Sequence, residues 1–385
     1  MLKYKKSVVE SLLAKLKDIN IARLNREIIY EKMGEIRLRT TSNEYTLYVN
    51  APYIEIWNVG KKLYSKLPTI GKTYFSVKVS PINNKQDIII KGNIKNLTCN
   101  SIKLTYLDVS KCISLKHLYC YNNQLKQLNI DKNINLNTLN CDNNNIVNLT
   151  ISKNINLQKL DCAKNKLTNL NIEKNIDLFE LDCSDNKFAS INVEKNLKLQ
   201  VLKCSFCELL DLNIDKNINL ALLECHNNKL KNLNVDKNIN LKYLYCANNE
   251  ITYLDLSRNP KLGYLTCNNN KLADISINTN INRMHSFNCN NNQLINLNVN
   301  NIIFYSLNCS NNKLSSLSFK ESKEMDCSNN KLPLNEIIKI LKIILNGPLG
   351  GRYNISNNLH TDFTKPQELV DILAKVKIHS LSIRY

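Results

Sequence analysis

Apolar and polar positions along this chain alternate in a pattern that returns about every 21 residues. In the stretch LKHLYCYNNQLKQLNIDKNIN, residues 115–135, an apolar residue is followed three positions later by an apolar pair spaced two apart, and then by an asparagine. The stretch contains this arrangement twice. The first half uses Leu115, Leu118, Cys120 and Asn123, and the second half uses Leu125, Leu128, Ile130 and Asn133.

The spacing of two within each half is the period of a β-strand, because alternate side chains of a strand share a face. Each unit therefore predicts two short parallel strands and two tight bends. Stacked units predict a repeat solenoid of about twelve coils over residues 86–332, with a sheet on each side. One coil alone buries too few side chains to fold, so neighbouring coils must stabilise each other.

Cysteine marks the repeat most clearly. Nine cysteines are each 21 residues apart, and three more follow at spacings of 22, 20 and 18. All fourteen cysteines are interpreted as small buried residues. Twelve occupy one inward repeat position, and the other two, Cys112 and Cys207, replace asparagines. The twelve are Cys99, Cys120, Cys141, Cys162, Cys183, Cys204, Cys225, Cys246, Cys267, Cys289, Cys309 and Cys327.

Asparagines recur three residues after each strand, where the chain bends. Backbone N–H and C=O groups turn inward at such a bend and need hydrogen-bond partners. An inward carboxamide has two donors and an acceptor, so it is expected to join one bend to the next. We therefore predict a structural role for both asparagine series.

This pattern resembles the leucine-rich-repeat family, most closely its 21-residue nested class, sometimes called IRREKO type, with the consensus LxxLxCxxNxLxxLDLxxNxx. The resemblance covers roughly residues 86–332. It implies a ligand-binding or adhesive scaffold of the kind found in bacteria and large DNA viruses, and it is nearly silent on the partner. One unit fits the consensus position by position, with Leu244, Cys246, Asn249, Ile251, Leu254, Asp255, Leu256 and Asn259.

The chain divides into three predicted regions: 1–85, 86–332 and 333–385. The first is a basic cap with a helix over 4–33, which covers the first coil or, as an alternative, lies on a membrane. The third closes the array. Strands are predicted at 44–49, 53–58, 73–80 and 87–91. The tail is predicted to contain a helix at 335–345, a strand at 352–356, a helix at 365–376 and a strand at 379–384.

The formal net charge of +19 suggests nucleic acid or an anionic surface as a partner. Its distribution weakens that interpretation. Residues 1–97 hold 18 lysines and arginines against 8 acidic residues, whereas residues 98–332 hold 27 against 21. Lysine outnumbers arginine 44 to 8, as the codons of an AT-rich genome would produce.

Free thiols favour a reducing compartment, and the N-terminus lacks the apolar run of a signal peptide. The expected location is therefore the cytoplasm, or a host's cytoplasm for a virus or pathogen. No apolar run approaches the 18 residues of a membrane span.

No catalytic motif is present. The five histidines lack metal-ligand spacing, and no phosphate-binding loop or nucleophile elbow occurs. No cofactor or metal is predicted, and we expect a non-enzyme. On the second-strand side a column of lysines has acidic neighbours, which is typical of a solvated face rather than of a phosphate-binding surface.

The first-strand face differs. The position before the strand leucine is apolar or aromatic in four consecutive coils, at Val201, Leu222, Tyr243 and Tyr264, and Tyr245 lies beside them. Exposed tyrosines and apolar patches are typical of protein contacts. We call these five residues the binding strip.

The sequence thus predicts a non-catalytic scaffold, expected to be a monomer, that binds an unidentified protein through the binding strip. Two alternatives stay open at this point. The basic N-terminal region could bind nucleic acid or an anionic membrane, or the chain could be a structural spacer or assembly component.

Overall fold

The computed structural model divides into two units, Met1–Ile146 and Val147–Tyr385. The predicted helix 4–33 lies outside the described residues. The residues described are 34–42, 44–51, 54–58, 61–66, 74–79, 87–347, 351–358, 371–372 and 382–384.

The first unit begins with antiparallel strands and ends in parallel coils. Its described residues form the strands β1 (Gly34–Thr40), β2 (Tyr45–Asn50), β3 (Ile54–Asn58), β4 (Lys61–Lys66), β5 (Tyr74–Val79), β6 (Asp87–Gly92), β7 (Asn96–Thr98), β8 (Leu104–Asp108), β9 (His117–Tyr119) and β10 (Thr138–Asn140).

Five of these strands form one sheet in the order β4-β3-β6-β1-β8. In the other sheet β5, β2 and β7 are antiparallel, whereas β9 and β10 continue from β7 as parallel neighbours. Strands β2, β3, β5 and β6 lie where the sequence predicted strands, whereas β1 and β4 were not predicted. In β1 the inward residues Ile36 and Leu38 alternate with arginines, which is the period of a half-buried strand.

The second unit is a solenoid of short parallel strands. Its strands are β11 (Lys159–Asp161), β12 (Glu180–Asp182), β13 (Val201–Lys203), β14 (Leu222–Glu224), β15 (Tyr243–Tyr245), β16 (Tyr253–Leu256), β17 (Tyr264–Thr266), β18 (Asp274–Ile277), β19 (Arg283–Asn288), β20 (Asn296–Asn308), β21 (Ser316–Asp326), β22 (Arg352–Asn354) and β23 (Ser382–Arg384).

The predicted parallel-strand solenoid is therefore confirmed. In each three-residue strand from β11 to β15 the middle leucine is buried and its two neighbours face outward. All fourteen cysteines are buried and free. The cysteine after each strand continues the inward row, as its repeat position predicts. Burial raises the pKa of such thiols, that of Cys246 to about 12.

The first asparagine series joins coil to coil with both ends of its carboxamide. Asn228 Nδ2 donates to the carbonyls of Cys204 and Cys225, each at 2.9 Å, and its Oδ1 accepts from Leu209 N–H at 3.0 Å. Asn358 repeats the arrangement beyond the last cysteine and donates to Cys327 O at 3.0 Å. This series is as predicted.

The second asparagine series uses only its donors. Asn217 Nδ2 donates to the carbonyls of Val193 and Asn196, each at 3.0 Å, and its buried Oδ1 has no hydrogen-bond partner among the described residues. The predicted role as a joint between bends holds, but the acceptor half of the carboxamide is unused.

The expected second sheet is wrong for most coils. Within the second unit, the described second halves form strands only where β16 pairs with β18 and where the first parts of β20 and β21 pair. In the other coils the outward positions are mostly Asn, Asp or Ser, which disfavour strands. Asn213 there accepts the N–H of Asp215 at 3.1 Å in a local turn, which replaces a strand hydrogen bond.

The tail begins with helix α1 (Leu334–Asn346), one residue longer at each end than predicted. It buries Ile337, Ile340, Leu341 and Ile344. Strands β22 and β23 then extend the parallel sheet from β21. Of the predicted helix 365–376 only residues 371–372 are described. The region boundaries at 85/86 and 332/333 stay predictions.

Candidate functional site

The binding strip lies on four neighbouring strands of the second unit, β13, β14, β15 and β17. Val201 pairs with Leu222, Leu222 with Tyr243, and Tyr243 with Tyr264, in one unbroken register. Tyr245 stands on the same face as Tyr243 because two residues separate them on one strand. All five side chains are half-buried. They therefore form one surface of limited mobility rather than scattered exposed groups.

The tyrosine end of the strip continues into two rings that sequence reasoning missed. The rings of Tyr243 and Tyr264 stack with centroids 5.0 Å apart, and His285 lies 4.9 Å from Tyr264. Tyr305 stacks on His285 at 5.0 Å with 3° between the planes. Lys323 Nζ lies 5.0 Å from the Tyr305 centroid. We call these four rings the aromatic stack.

The two missed rings, His285 and Tyr305, lie one residue before the position that the 21-residue repeat assigns to the row. Backbone pairing aligns Tyr264 with Ser286 and Ser286 with Ser306, yet the rings that continue the row belong to His285 and Tyr305. The coil length changes from 21 to 22 and then to 20 residues here. An aromatic residue beside each serine was the available signal.

Charged residues at the aliphatic end of the strip are paired. Lys203 Nζ lies 3.3 Å from Glu224 Oε1, and Lys159 Nζ lies 2.6 Å from Glu180 Oε2. Burial opposes the charge on Lys203, but Glu224, Asp182 and Glu180 together raise the pKa of Lys203. These pairs make the border of the strip polar but nearly neutral.

Tyr245 stays a hydrogen-bond donor over the physiological range. Burial, followed by the carboxylate of Glu224, raises the pKa of its hydroxyl. A neutral phenol can donate to a partner's carbonyl or carboxylate while its ring packs against apolar groups.

Phe206 is an exposed aromatic residue in an unusual backbone conformation. Its φ is +55°, at a bend where most other coils have asparagine, and its side chain is 52% exposed. The ring meets His226 edge-on at 5.2 Å. Burial lowers the pKa of His226, and the nearby Glu224 opposes this shift. A bulky residue in the left-handed region is strained, and such strain is found more often at functional positions.

A shallow depression of about 360 Å³ lies beyond the aromatic stack, on the same face of β20 to β22. Ser306, Glu324, Asp326, Arg352 and Asn354 line it. Arg352 and Glu324 pair at 2.5 Å, so the floor of the depression is occupied by its own salt bridge. We assign no chemistry to it.

Within the part of the chain that the structure describes, no group of three or more histidine, cysteine or acidic side chains is placed to hold a metal ion. Over the same residues, no helix is long and apolar enough to cross a membrane.

A family model described as leucine-rich repeats, in two copies, matches residues 239–280. The matched stretch contains Tyr243, Tyr245 and Tyr264. The repeats of this chain are leucine-rich repeats. The finer assignment to the 21-residue nested class stays a prediction. A search of the curated proteins found no match.

Solved structures with the leucine-rich-repeat fold resemble this chain. The functional domain of InlJ from Listeria monocytogenes, which includes a cysteine ladder, is 24% identical with a TM-score of 0.51, and the alignment covers 68% of this chain and 74% of that one. The leucine-rich-repeat domain of APL1B is 15% identical with a TM-score of 0.55, covering 76% and 88%. The LRIM1/APL1C complex is 16% identical with a TM-score of 0.53, covering 70% and 55%.

At these identities the likeness shows the fold. The leucine-rich-repeat fold commonly serves as a scaffold for protein interaction and is typically non-enzymatic.

Proposed function

We propose that this chain is a non-catalytic scaffold that binds another protein through the binding strip and the aromatic stack of its second unit. The observation that carries the proposal is the continuous row of apolar and aromatic side chains on neighbouring first strands, half-buried from Val201 to Tyr264 and exposed at His285 and Tyr305. Tyrosine is enriched among the residues that dominate protein interfaces.

The stack is suited to an anchor because its rings are already held. Each ring lies about 5 Å from the next, so little rotamer freedom remains to be lost when a partner binds. The ring faces contact each other, which leaves ring edges and hydroxyl groups for the partner. Tyrosine provides a large contact area with few rotatable bonds.

The chemistry of the surface favours a partner with an apolar segment bordered by hydrogen-bond acceptors. Lys323 at the far end of the stack is positioned to meet a carboxylate of that partner. At the other end, Lys203 and Glu224 already pair with each other. We infer that apolar contact provides most of the affinity and that salt affects it weakly.

Affinity capture from the source cells, followed by mass spectrometry, identifies the partner. The test of the site then compares the wild type with a variant carrying Leu222→Ser, Tyr243→Ser and Tyr264→Ser. None of these side chains points into the core, so the variant should fold. We expect each tyrosine change to cost about 2 kcal/mol of binding free energy, roughly thirtyfold in Kd.

The matched control changes three exposed lysines on other columns of the second unit, Lys166→Ser, Lys187→Ser and Lys231→Ser, and should bind like the wild type. Equal capture by the wild type and the strip variant would refute the site. The alternative of nucleic-acid or membrane binding through the basic region 1–97 predicts instead an affinity that falls steeply with salt.

A further inference from the structure

A second exposed apolar surface stands on the bend that precedes each first strand of the second unit. Five aliphatic side chains, one in each of five consecutive coils, are between 52% and 57% exposed. Single exposed apolar residues are ordinary, but an unbroken row is not. We call this row the aliphatic ridge: Ile155, Ile176, Leu197, Ile218 and Ile239.

The backbone beneath the ridge is fixed by the second asparagine series. Each ridge residue directly follows one of these buried asparagines. Asn196 Nδ2, for example, donates to Ile172 O at 3.1 Å and Asn175 O at 2.8 Å. Strands β11 to β15 pair in register, so equivalent residues are about 4.8 Å apart and the ridge is about 19 Å long.

Backbone carbonyls of the ridge are already hydrogen-bonded. Asn219 Nδ2 donates to Leu197 O, and Asn240 Nδ2 donates to Ile218 O, both at 3.1 Å. A polar backbone group enters an apolar environment at low cost only when it has a partner within the protein. At these coils the ridge can therefore move from water into an apolar environment without leaving a backbone carbonyl unpaired.

A column of cations accompanies the ridge, two residues before each aliphatic side chain. All five lysines are exposed, and none forms an ion pair with the residues that the structure describes. The residue before each lysine is Ser152 or an exposed acid, Glu173, Glu194, Asp215 or Asp236. Two of these carboxylates accept a hydrogen bond from the following coil, because Asn213 donates to Glu194 at 2.9 Å and Asn234 donates to Asp215 at 3.2 Å. The lysine column consists of Lys153, Lys174, Lys195, Lys216 and Lys237.

We propose that the aliphatic ridge and the lysine column together dock the protein on an anionic lipid surface. Aliphatic groups enter the boundary between headgroups and acyl chains, and the adjacent ammonium groups meet the lipid phosphates. The aliphatic ridge is a raised row one side chain wide, which a deformable lipid surface can accommodate. A rigid protein partner would instead need a groove of the same length. This site uses different columns from the binding strip and does not depend on the proposed function.

The test is co-sedimentation of the full chain with phosphatidylcholine vesicles that contain about 30% phosphatidylserine. We expect the wild type to bind these vesicles and to bind pure phosphatidylcholine weakly. A variant with Ile176→Thr, Ile218→Thr and Ile239→Thr keeps β-branched side chains at the bends and should fold, which circular dichroism and thermal melting verify. Its partition coefficient should fall roughly tenfold.

A second variant separates charge from apolar insertion. Lys174→Gln, Lys195→Gln and Lys216→Gln should weaken binding to the anionic vesicles and leave the weak binding to phosphatidylcholine unchanged. The variant Leu210→Thr/Ile295→Thr changes exposed aliphatic side chains outside this surface and should bind the vesicles like the wild type.

Three results would overturn the proposal. The wild type could fail to sediment with anionic vesicles. The ridge variant could bind as well as the wild type, which would place membrane binding elsewhere, for example in the basic region 1–97. Light scattering could also show that the wild type is a dimer and the ridge variant a monomer, in which case the ridge contacts a second copy of this chain.

Discussion

Single residues at the bends determine how well one coil stacks on the next. Most coils place asparagine in the left-handed conformation, which its short polar side chain tolerates better than other non-glycine residues do. The coil that begins at Cys204 departs twice from this rule, with Phe206 at the left-handed position and Cys207 in the first asparagine series. The Cys207 thiol still donates to Cys183 O at 3.3 Å.

Replacing the strained phenylalanine should stabilise the protein. Phe206→Asn relieves a left-handed conformation that costs a bulky residue about 1–2 kcal/mol, and little burial is lost because the ring is half exposed. We expect the free energy of unfolding to rise by about 1 kcal/mol in urea titrations. Asn227→Phe, the reverse change at the same position of the next coil, should lower it by a similar amount. No gain from Phe206→Asn would contradict the assignment of strain.

The two asparagine series should differ in their contribution to stability. Asn228→Ala leaves the buried Cys204 carbonyl and the N–H groups of Cys207 and Leu209 without a partner, whereas Asn217→Ala removes donors only. At about 1–3 kcal/mol for each stranded group, the cost of Asn228→Ala should be the larger by at least about 1 kcal/mol. Chemical denaturation of the two variants side by side measures the difference. Equal costs would show that the acceptor contacts made by Asn228, which Asn217 lacks, add no stability.

Rows of identical residues are the features that matter at the scale of the strand. The cysteine row lies wholly inside, and burial raises the pKa of Cys99 and Cys289, as well as that of Cys246, to about 12. In the unfolded chain the ordinary pKa is about 9. The folded state therefore holds these protons to higher pH, which links its stability to pH.

The sign of this linkage predicts alkaline destabilisation. Because the pKa is raised on folding, the stabilisation is complete below pH 9 and is lost as pH rises from 9 to 12. At pH 10 each such thiol should cost about 1 kcal/mol relative to pH 8. Urea titrations at the two pH values measure the loss, and Cys246→Ala should show a smaller loss than the wild type. A loss unchanged in that variant would assign the alkaline effect to other groups.

The sequence predicted these rows because a strict 21-residue period gives equivalent residues the same environment. It predicted the buried leucines and cysteines, the two asparagine series and the placement of Val201 to Tyr264 on adjacent strands. The sequence did not predict the features that depend on local backbone geometry. His285 and Tyr305 follow a change in coil length, and the outward asparagines of the second halves make turns in place of strands.

The aliphatic ridge was overlooked for a related reason. From the sequence alone, an apolar residue at a bend, such as Ile176, is expected to be buried. Whether its side chain faces the core depends on the backbone conformation of the bend. Hydrophobicity indicates that a side chain prefers burial, but only the orientation of the bend determines whether the fold provides it. The same column of lysines that looked like a solvated face becomes informative once the ridge beside it is seen.

For the whole molecule, the ends of a repeat array need covering because an open coil exposes its apolar interior. Here α1 buries four aliphatic residues, and Tyr353 donates from its hydroxyl to Ser322 O at 3.0 Å. Strand β22 pairs with the edge of β21. The tail thus completes the hydrogen bonds of the last coil and covers its apolar side.

Removing the tail should therefore expose the array. A chain that ends at residue 332 loses Asn358, which is one of two donors to the Cys327 carbonyl and the acceptor for the N–H of Leu332. We expect this truncated protein to aggregate or to melt several degrees below the full chain. Light scattering and a thermal melt check both outcomes. A monomeric truncated protein with an unchanged melting temperature would show that the tail serves a purpose other than capping.

The central claim, that the first-strand face of the second unit holds a protein partner, is tested most directly by site-specific photo-crosslinking. A benzophenone amino acid replaces Tyr264 or Tyr305 in the aromatic stack, or the exposed Lys166 as control, and the protein is irradiated in an extract of its source cells. Both stack positions should crosslink to the same protein, and position 166 should not. Crosslinks to that protein from position 166 alone would show that the partner does not bind the first-strand face.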